Sequence, residues 1–173
     1  MKKNLLLILN FLFFVPVIAQ TLPEISGSDI ENKQVNLPEH LKGKYSLLGF
    51  ASSLKAQADL ETWLDPVYQK FIAKTGLMDD MYDVNVYFIP ILTGTNLSFA
   101  ASMKKKFREQ VQEDLKSHLL MCTENGKEVI EKLNMQKSDQ PYFFLLNKEG
   151  KILYRTSGPF TEAKFDTIDD LIE

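Results

Sequence analysis

The chain has 173 residues, 45% of them hydrophobic and 12 of them Phe, which is enough apolar side chain for one well-filled core of ordinary domain size. Lys and Arg number 20 against 23 Asp and Glu, a formal charge of −3 that gives no electrostatic reason to seek nucleic acid. A single cysteine, Cys122, excludes an internal disulfide and any two-thiol chemistry within one chain, so stability has to come from packing.

The first residues follow the secretory plan: Lys2 and Lys3, an apolar run over 5–18, then Val17 and Ala19 before Gln20. The expectation is a signal peptide over 1–19, cleaved after Ala19, and one exported domain, periplasmic or secreted, over 20–173. A retained anchor is the alternative, but about 14 apolar residues broken by Asn10 and Pro16 fall short of the roughly 20 a spanning helix needs. No stable membrane span is expected after cleavage. No Cys follows the apolar run to support a lipid anchor. Cleavage leaves 154 residues with a formal charge of −5.

Residues 22–38 alternate apolar positions with turn formers and suggest a short hairpin. The stretch 45–51 is continuously apolar, as in a strand covered on both faces. From Lys55 the period becomes helical, with Leu60, Trp63, Leu64, Val67 and Phe71 on one face. Pro66 is expected to kink this helix or restart it with Asp65 as cap. A strand over 84–92 closes at Thr93-Gly94-Thr95-Asn96, and a second helix carries Phe99, Met103, Phe107 and Val111 at four-residue spacing. A strand over 117–122 ends at Thr123-Glu124-Asn125-Gly126, before a short helix marked by Val129, Ile130 and Leu133. Strands over 142–146 and 152–156 flank a five-residue hairpin turn. The last helix starts near Thr161, with Phe165, Ile168, Leu171 and Ile172 inward. The order β-α-β-α-β-α-β-β-α implies an α/β fold: a central mixed sheet with right-handed crossovers, a C-terminal antiparallel hairpin and flanking helices.

Residue chemistry is sparse. Cys122 ends an interior strand, where a free Cys is usually a small core residue; a reactive thiol would need an exposed, electropositive setting, and Glu124 offers the reverse. His40 and His118 lack partners at ligand spacing, so no metal site and no cofactor are expected. Asp79-Asp80 and Asp169-Asp170 read as solvated pairs, and Lys104-Lys105-Lys106 with Arg108 reads as a solvated helix face. No phosphate-binding loop and no Gly-x-Ser-x-Gly occurs. Asn96-Leu97-Ser98 is a glycosylation sequon, meaningful in a eukaryotic secretory pathway. Ser52 and Ser53 stand at a helix start, where capping competes with anion or peptide-backbone binding.

The segments Leu22-Pro23-Glu24-Ile25, Val35-Asn36-Leu37, the run from Lys42 to Ser52 and the run from Gln140 to Leu153 resemble the thioredoxin-like superfamily. More narrowly they resemble its exported branch of TlpA-type thiol oxidoreductases and alkyl hydroperoxide reductase-type peroxiredoxins. The resemblance implies a three-layer thioredoxin-like fold. It also implies a cis Gln140–Pro141 bond facing the strand–helix junction. A redox member would carry Cys-x-x-Cys there, and this chain has Ser53-Leu54-Lys55-Ala56-Gln57-Ala58. Dithiol oxidoreductase activity is therefore not expected. Shorter matches, Trp63-Leu64-Asp65-Pro66-Val67 and the helix over 103–108, resemble a thioredoxin-fold assembly factor of the mitochondrial ATP synthase, whose role is not carried over at this stage.

The leading expectation is an exported, non-catalytic module that binds a peptide or protein through the former active-site surface of Ser53, Leu54, Lys55, Gln57, Gln140 and Pro141. A cis proline beside a helix start would leave a backbone edge for an extended strand. The rivals are a single-thiol redox protein using Cys122 with an external resolving thiol, and a structural envelope component.

Overall fold

The computed structural model describes residues 21–172, so the expected signal peptide lies outside the described residues. Strand β1 (Ile25–Asp29) and strand β2 (Gln34–Leu37) form an antiparallel hairpin. Its turn is held by Asp29, whose carboxylate accepts from the amides of Glu31 and Lys33. Strand β3 (Tyr45–Ala51) follows, and its continuous apolar run is buried from Ser46 onward. It lies between β4 (Val84–Pro90), parallel to it, and β6 (Tyr142–Leu146), antiparallel to it. β7 (Ile152–Ser157) completes the order β4-β3-β6-β7. Strand β5 (Leu120–Cys122) pairs with β1, and parallel bridges Phe88–Leu119 and Ile91–Cys122 join it to the β4 edge.

Alternation along β3, β4 and β6 sends successive side chains to opposite faces. Leu48, Phe50, Ile89, Phe144 and Leu146 pack with Ile25, Leu37 and Cys122, beneath helix α3 (Gly126–Lys132) and its Val129 and Leu133. Leu47, Phe88, Phe143 and Leu145 pack on the other face against Leu60, Trp63 and Val67 of helix α1 (Leu54–Val67) and Ile168 of helix α4 (Glu162–Asp170). Three layers result, as the thioredoxin-like resemblance implies. Ser53 caps α1 by accepting from the Ala56 amide, and Thr161 caps α4 by accepting from Lys164. Among the described residues no helix is long and apolar enough to cross a membrane.

Four local expectations are corrected. Of the two alternatives for Pro66, the restart with Asp65 as cap does not occur. α1 continues to Val67 and the chain then widens into a π-helical turn, Tyr68–Ile72, where the Ala73 amide reaches back to the Tyr68 carbonyl. A proline near the last turn removes only one donor, and the wider turn absorbs the mismatch. His118 ends a 3-10 turn, Glu113–His118, leaving β5 only three residues long, and Leu171 is partly exposed just past α4. The Gln140–Pro141 bond is trans; the cis proline bond among the described residues is Leu37–Pro38. The chain makes its bend over 138–140, before it reaches Pro141, and the Ser138 and Asp139 carbonyls accept from Ser53 Oγ and Lys55 Nζ. No isomer change is needed to turn the chain, and the ordinary trans preference of about 0.5–1 kcal/mol stands.

Trp63 fixes α1 on the sheet. Its indole stacks on Phe143 at 4.1 Å between centroids, meets the Phe160 ring edge-on and donates to the Gly158 carbonyl at 3.1 Å. Gly49 of β3 makes room for this stack, since a Cβ there would lie 2.5 Å from the Phe143 ring. Trp63→Ala should cost about 3–5 kcal/mol by cavity formation, and Gly49→Ala about 1–3 kcal/mol by overpacking. Urea unfolding followed by circular dichroism measures both, and wild-type midpoints would refute the assignment.

Candidate functional site

The carboxyl ends of the parallel pair β3 and β4 are the natural opening of such a sheet. Here they form the floor of a groove of about 460 Å3, made by Ala51, Pro90, Ile91 and Leu92. Its first wall is the start of α1, with Ser53, Leu54, Gln57, Ala58 and Glu61. Its second wall comes from a 3-10 turn, Gly94–Phe99, and helix α2 (Ala100–Gln110), which supply Asn96, Phe99, Ser102, Met103 and Lys106. Gly94 starts that wall at φ +58, a left-handed conformation that favours glycine.

The groove is apolar and open. Leu54 is 81% exposed and Phe99 58% exposed at its mouth. Phe107 and Val111, one and two turns beyond Met103, pack on the core cluster that includes Ile30, Phe88 and Trp63, while α2 itself buries no residue fully. The four-residue stripe of the sequence is thus divided: its end joins the core and its start faces the groove. Polar ties hold α2 to the β1–β2 turn. Lys104 donates to Ser28 Oγ at 2.7 Å and Asn32 Oδ1 at 3.0 Å, and Arg108 donates to the Ile30 carbonyl at 2.7 Å. Burial is the main influence on Lys104 and lowers its pKa. The expected solvated face is therefore half an anchor, which sequence spacing could not reveal because its acceptors lie more than 70 residues away.

The expected site residues are only partly brought together. Ser53, Leu54 and Gln57 line the groove. Ser53 is occupied as a cap and as a donor to Ser138, and Lys55 turns to the Asp139 carbonyl and Asp59. Gln140 donates to Ser157 and lines a separate, smaller depression with Tyr142 and Arg155. Pro141 is buried, and its carbonyl accepts from the Gly158 amide at 3.0 Å. The proposed free strand edge beside Pro141 is thus already used by the hairpin. The residues that sequence reasoning missed are Phe99, Met103 and Lys106, whose helical stripe was the available signal.

Cys122 is fully buried, and burial pushes its pKa up to about 11. Its thiol points to Asn125 Oδ1 at 3.6 Å, behind the groove floor, where its carbonyl accepts from the Leu92 amide. The single-thiol reading required an open surface shared with Pro141, and this position does not provide one. Among the described residues no three His, Cys, Asp or Glu side chains gather as a metal site.

The family model described as ATP10 protein matches residues 12–172, almost the whole chain. The chain belongs to the ATP10 protein family. Solved structures place this ATP10 chain in the thioredoxin-like fold. The thioredoxin domain of a thiol-disulfide oxidoreductase from Bacteroides vulgatus is 20% identical, with a TM-score of 0.63 over 90% of this chain and 97% of that one. The exposed lipoprotein thioredoxin Etrx1 of Streptococcus pneumoniae is 17% identical, with a TM-score of 0.59 over 86% and 100%. BsSco, described as a member of the Sco family of cytochrome c oxidase assembly proteins, is 18% identical, with a TM-score of 0.58 over 88% and 92%. No curated protein matches. At these identities the structures establish the fold, and the activity of this ATP10 chain has to be argued from its groove.

The buried position of Cys122 has a measurable consequence. Native protein should react with iodoacetamide far more slowly than unfolded protein, and its labelling rate should climb toward pH 11 instead of pH 9. Folding disfavours the thiolate, so this group's contribution to stability is present below the unfolded thiol's pKa and declines as pH rises through the window up to about 11. Cys122→Ser should lower stability by about 1–3 kcal/mol. Rapid labelling of the folded chain at neutral pH would contradict the assignment.

Proposed function

We propose that this chain is an exported, non-catalytic assembly module that holds an apolar segment of a protein partner between α1 and α2. One observation carries the reading: the strand–helix junction, where the resemblance would put two thiols, instead opens an apolar groove with Leu54 and Phe99 exposed at its mouth. Large apolar side chains collected around a concave surface are what an interaction site requires. ATP10 family membership supports an assembly role, together with the likeness of 63–67 and 103–108 to an ATP synthase assembly factor and the fold shared with a cytochrome c oxidase assembly protein. The export part rests on the leader pattern of residues 1–19, and the tie to the TlpA-type branch on the segments 22–25 and 140–153. Side-chain insertion replaces strand addition as the binding mode, because the Pro141 carbonyl is already paired.

Two measurements test this. With dithiothreitol the protein should reduce insulin no faster than buffer alone. A benzoylphenylalanine placed at position 99 in the chain expressed in its own host should cross-link to one defined protein, and Leu54→Asp in the same chain should abolish the adduct. A control probe at Asp166, exposed on α4, should give none. Insulin turnover, or equal cross-linking at positions 99 and 166, would refute the reading.

A further inference from the structure

The molecule carries a second apolar surface at its other end. After α1 and the π-helical turn, the chain forms a loop leading to β4, and a 3-10 turn within it, Asp79–Met81, presents Leu77, Met78 and Met81 to solvent. Leu77 is fully exposed and Met81 is 74% exposed. The loop is held in this shape: the Asp79 carboxylate accepts from the Gly76 amide at 2.7 Å, and the amides of Met81 and Tyr82 donate to the Met78 and Asp79 carbonyls. Three large apolar side chains on a convex, hydrogen-bonded turn form a knob that no other described residue covers.

The loop precedes β4, whereas the groove lies at the end of the parallel strands β3 and β4, so the two surfaces sit at opposite poles of the sheet. Their shapes and charges complement each other. The knob is convex and flanked by Asp79, Asp80 and Asp83, of which Asp83 is paired with Lys44, Asp79 is bonded to the Gly76 amide and Asp80 stands unpaired among the described residues. The groove is concave, and helix α2 beside it carries Lys104, Lys105, Lys106 and Arg108 against one carboxylate, Glu109. Glu109 pairs with Lys105 at 3.9 Å, while Lys104 and Arg108 are bonded to the β1–β2 turn. Lys106, unpaired among the described residues, lines the groove opposite Glu61 of the α1 wall. Asp80 and Lys106 are the unpaired groups, and otherwise the match is one of net charge: an apolar knob that is net negative meets an apolar groove beside a helix that is net positive.

We propose that the Leu77–Met81 knob of one copy seats in the groove of a second copy, so that the chain associates head to tail. This rests on the reading of the groove as a site for an apolar protein segment, and names a segment of that kind within the chain itself. The contact is heterologous, because each copy uses different surfaces as donor and acceptor. Such a contact continues along a row of copies unless the geometry closes a ring.

The test is sedimentation equilibrium on the chain in the form its host accumulates, from low micromolar to near-millimolar concentration. The average mass of the wild type should rise with concentration past that of a dimer, and the rise should weaken with salt. Leu77→Asp with Met81→Asp should abolish the rise, as should Leu54→Asp with Phe99→Asp. All four positions are well exposed, and unchanged thermal melts would show the variants folded. Mixing the knob variant with the groove variant should restore association and stop at a one-to-one pair, since the first retains a groove and the second a knob. A wild type that stays monomeric, a mass that levels at a dimer while both variants still dimerise, or a mixture that fails to pair would each overturn the proposal. The two readings fail separately: if the knob variant still cross-links to a partner through position 99 while the wild type stays monomeric, the groove keeps its role and self-association is lost.

Discussion

The stack of Trp63 on Phe143 is the contact from which the rest of the architecture follows. It joins the third turn of α1 to the start of β6 across a gap that Gly49 leaves open in β3. The indole nitrogen, bonded to the Gly158 carbonyl, draws in the segment between β7 and α4, and Phe160 closes over the ring. One side chain thereby sets the position of α1 relative to three other elements. Because α1 is rigid and capped at Ser53, fixing its third turn also fixes its first. Leu54 and Gln57 stand at the groove as a result.

Around this contact the two faces of the sheet differ in what they support. Beneath α3 the packing is mostly aliphatic around the edge-on pair Phe50–Phe144 and includes Cys122, whose neighbours Gly27 and Ile91 belong to the two sheets that β5 joins. Under α1 and α4 it is dominated by aromatic rings. A half-buried ion pair, Lys70–Asp169 at 2.6 Å, ties the π-helical turn to α4 and stands against the Tyr82 ring. This pair was not legible in the sequence, where Asp169 and its neighbour Asp170 read as solvated.

What could be read from the sequence was what is locally encoded. The apolar runs of β3 and β6, the turn between β6 and β7, the stripe of α1 and the cap at Thr161 each depend on residues a few positions apart, and the structure has them in place. The errors lie where distant chain decides. The geometry at Pro141 depends on Ser53 and Lys55 holding carbonyls more than 80 residues away, and the tasks of Lys104 and Arg108 depend on a turn near residue 30. Half of the candidate site was legible for the same reason. Ser53, Leu54 and Gln57 follow from the strand–helix junction, whereas the α2 wall arises from tertiary placement that spacing does not specify.

The two sides of the groove are built from different kinds of interaction. The α1 side is continuous with the aromatic core, and displacing it would break the Trp63 contacts. The α2 side has no fully buried residue and hangs on two cations bonded to one turn, with Phe107 and Val111 as its partial footing. Segments held by few buried contacts open at lower free energy than the core they border. The two jaws of the cleft are therefore unequal: one is continuous with the core of the sheet, and the other rests on a few partly buried contacts and two tethered cations.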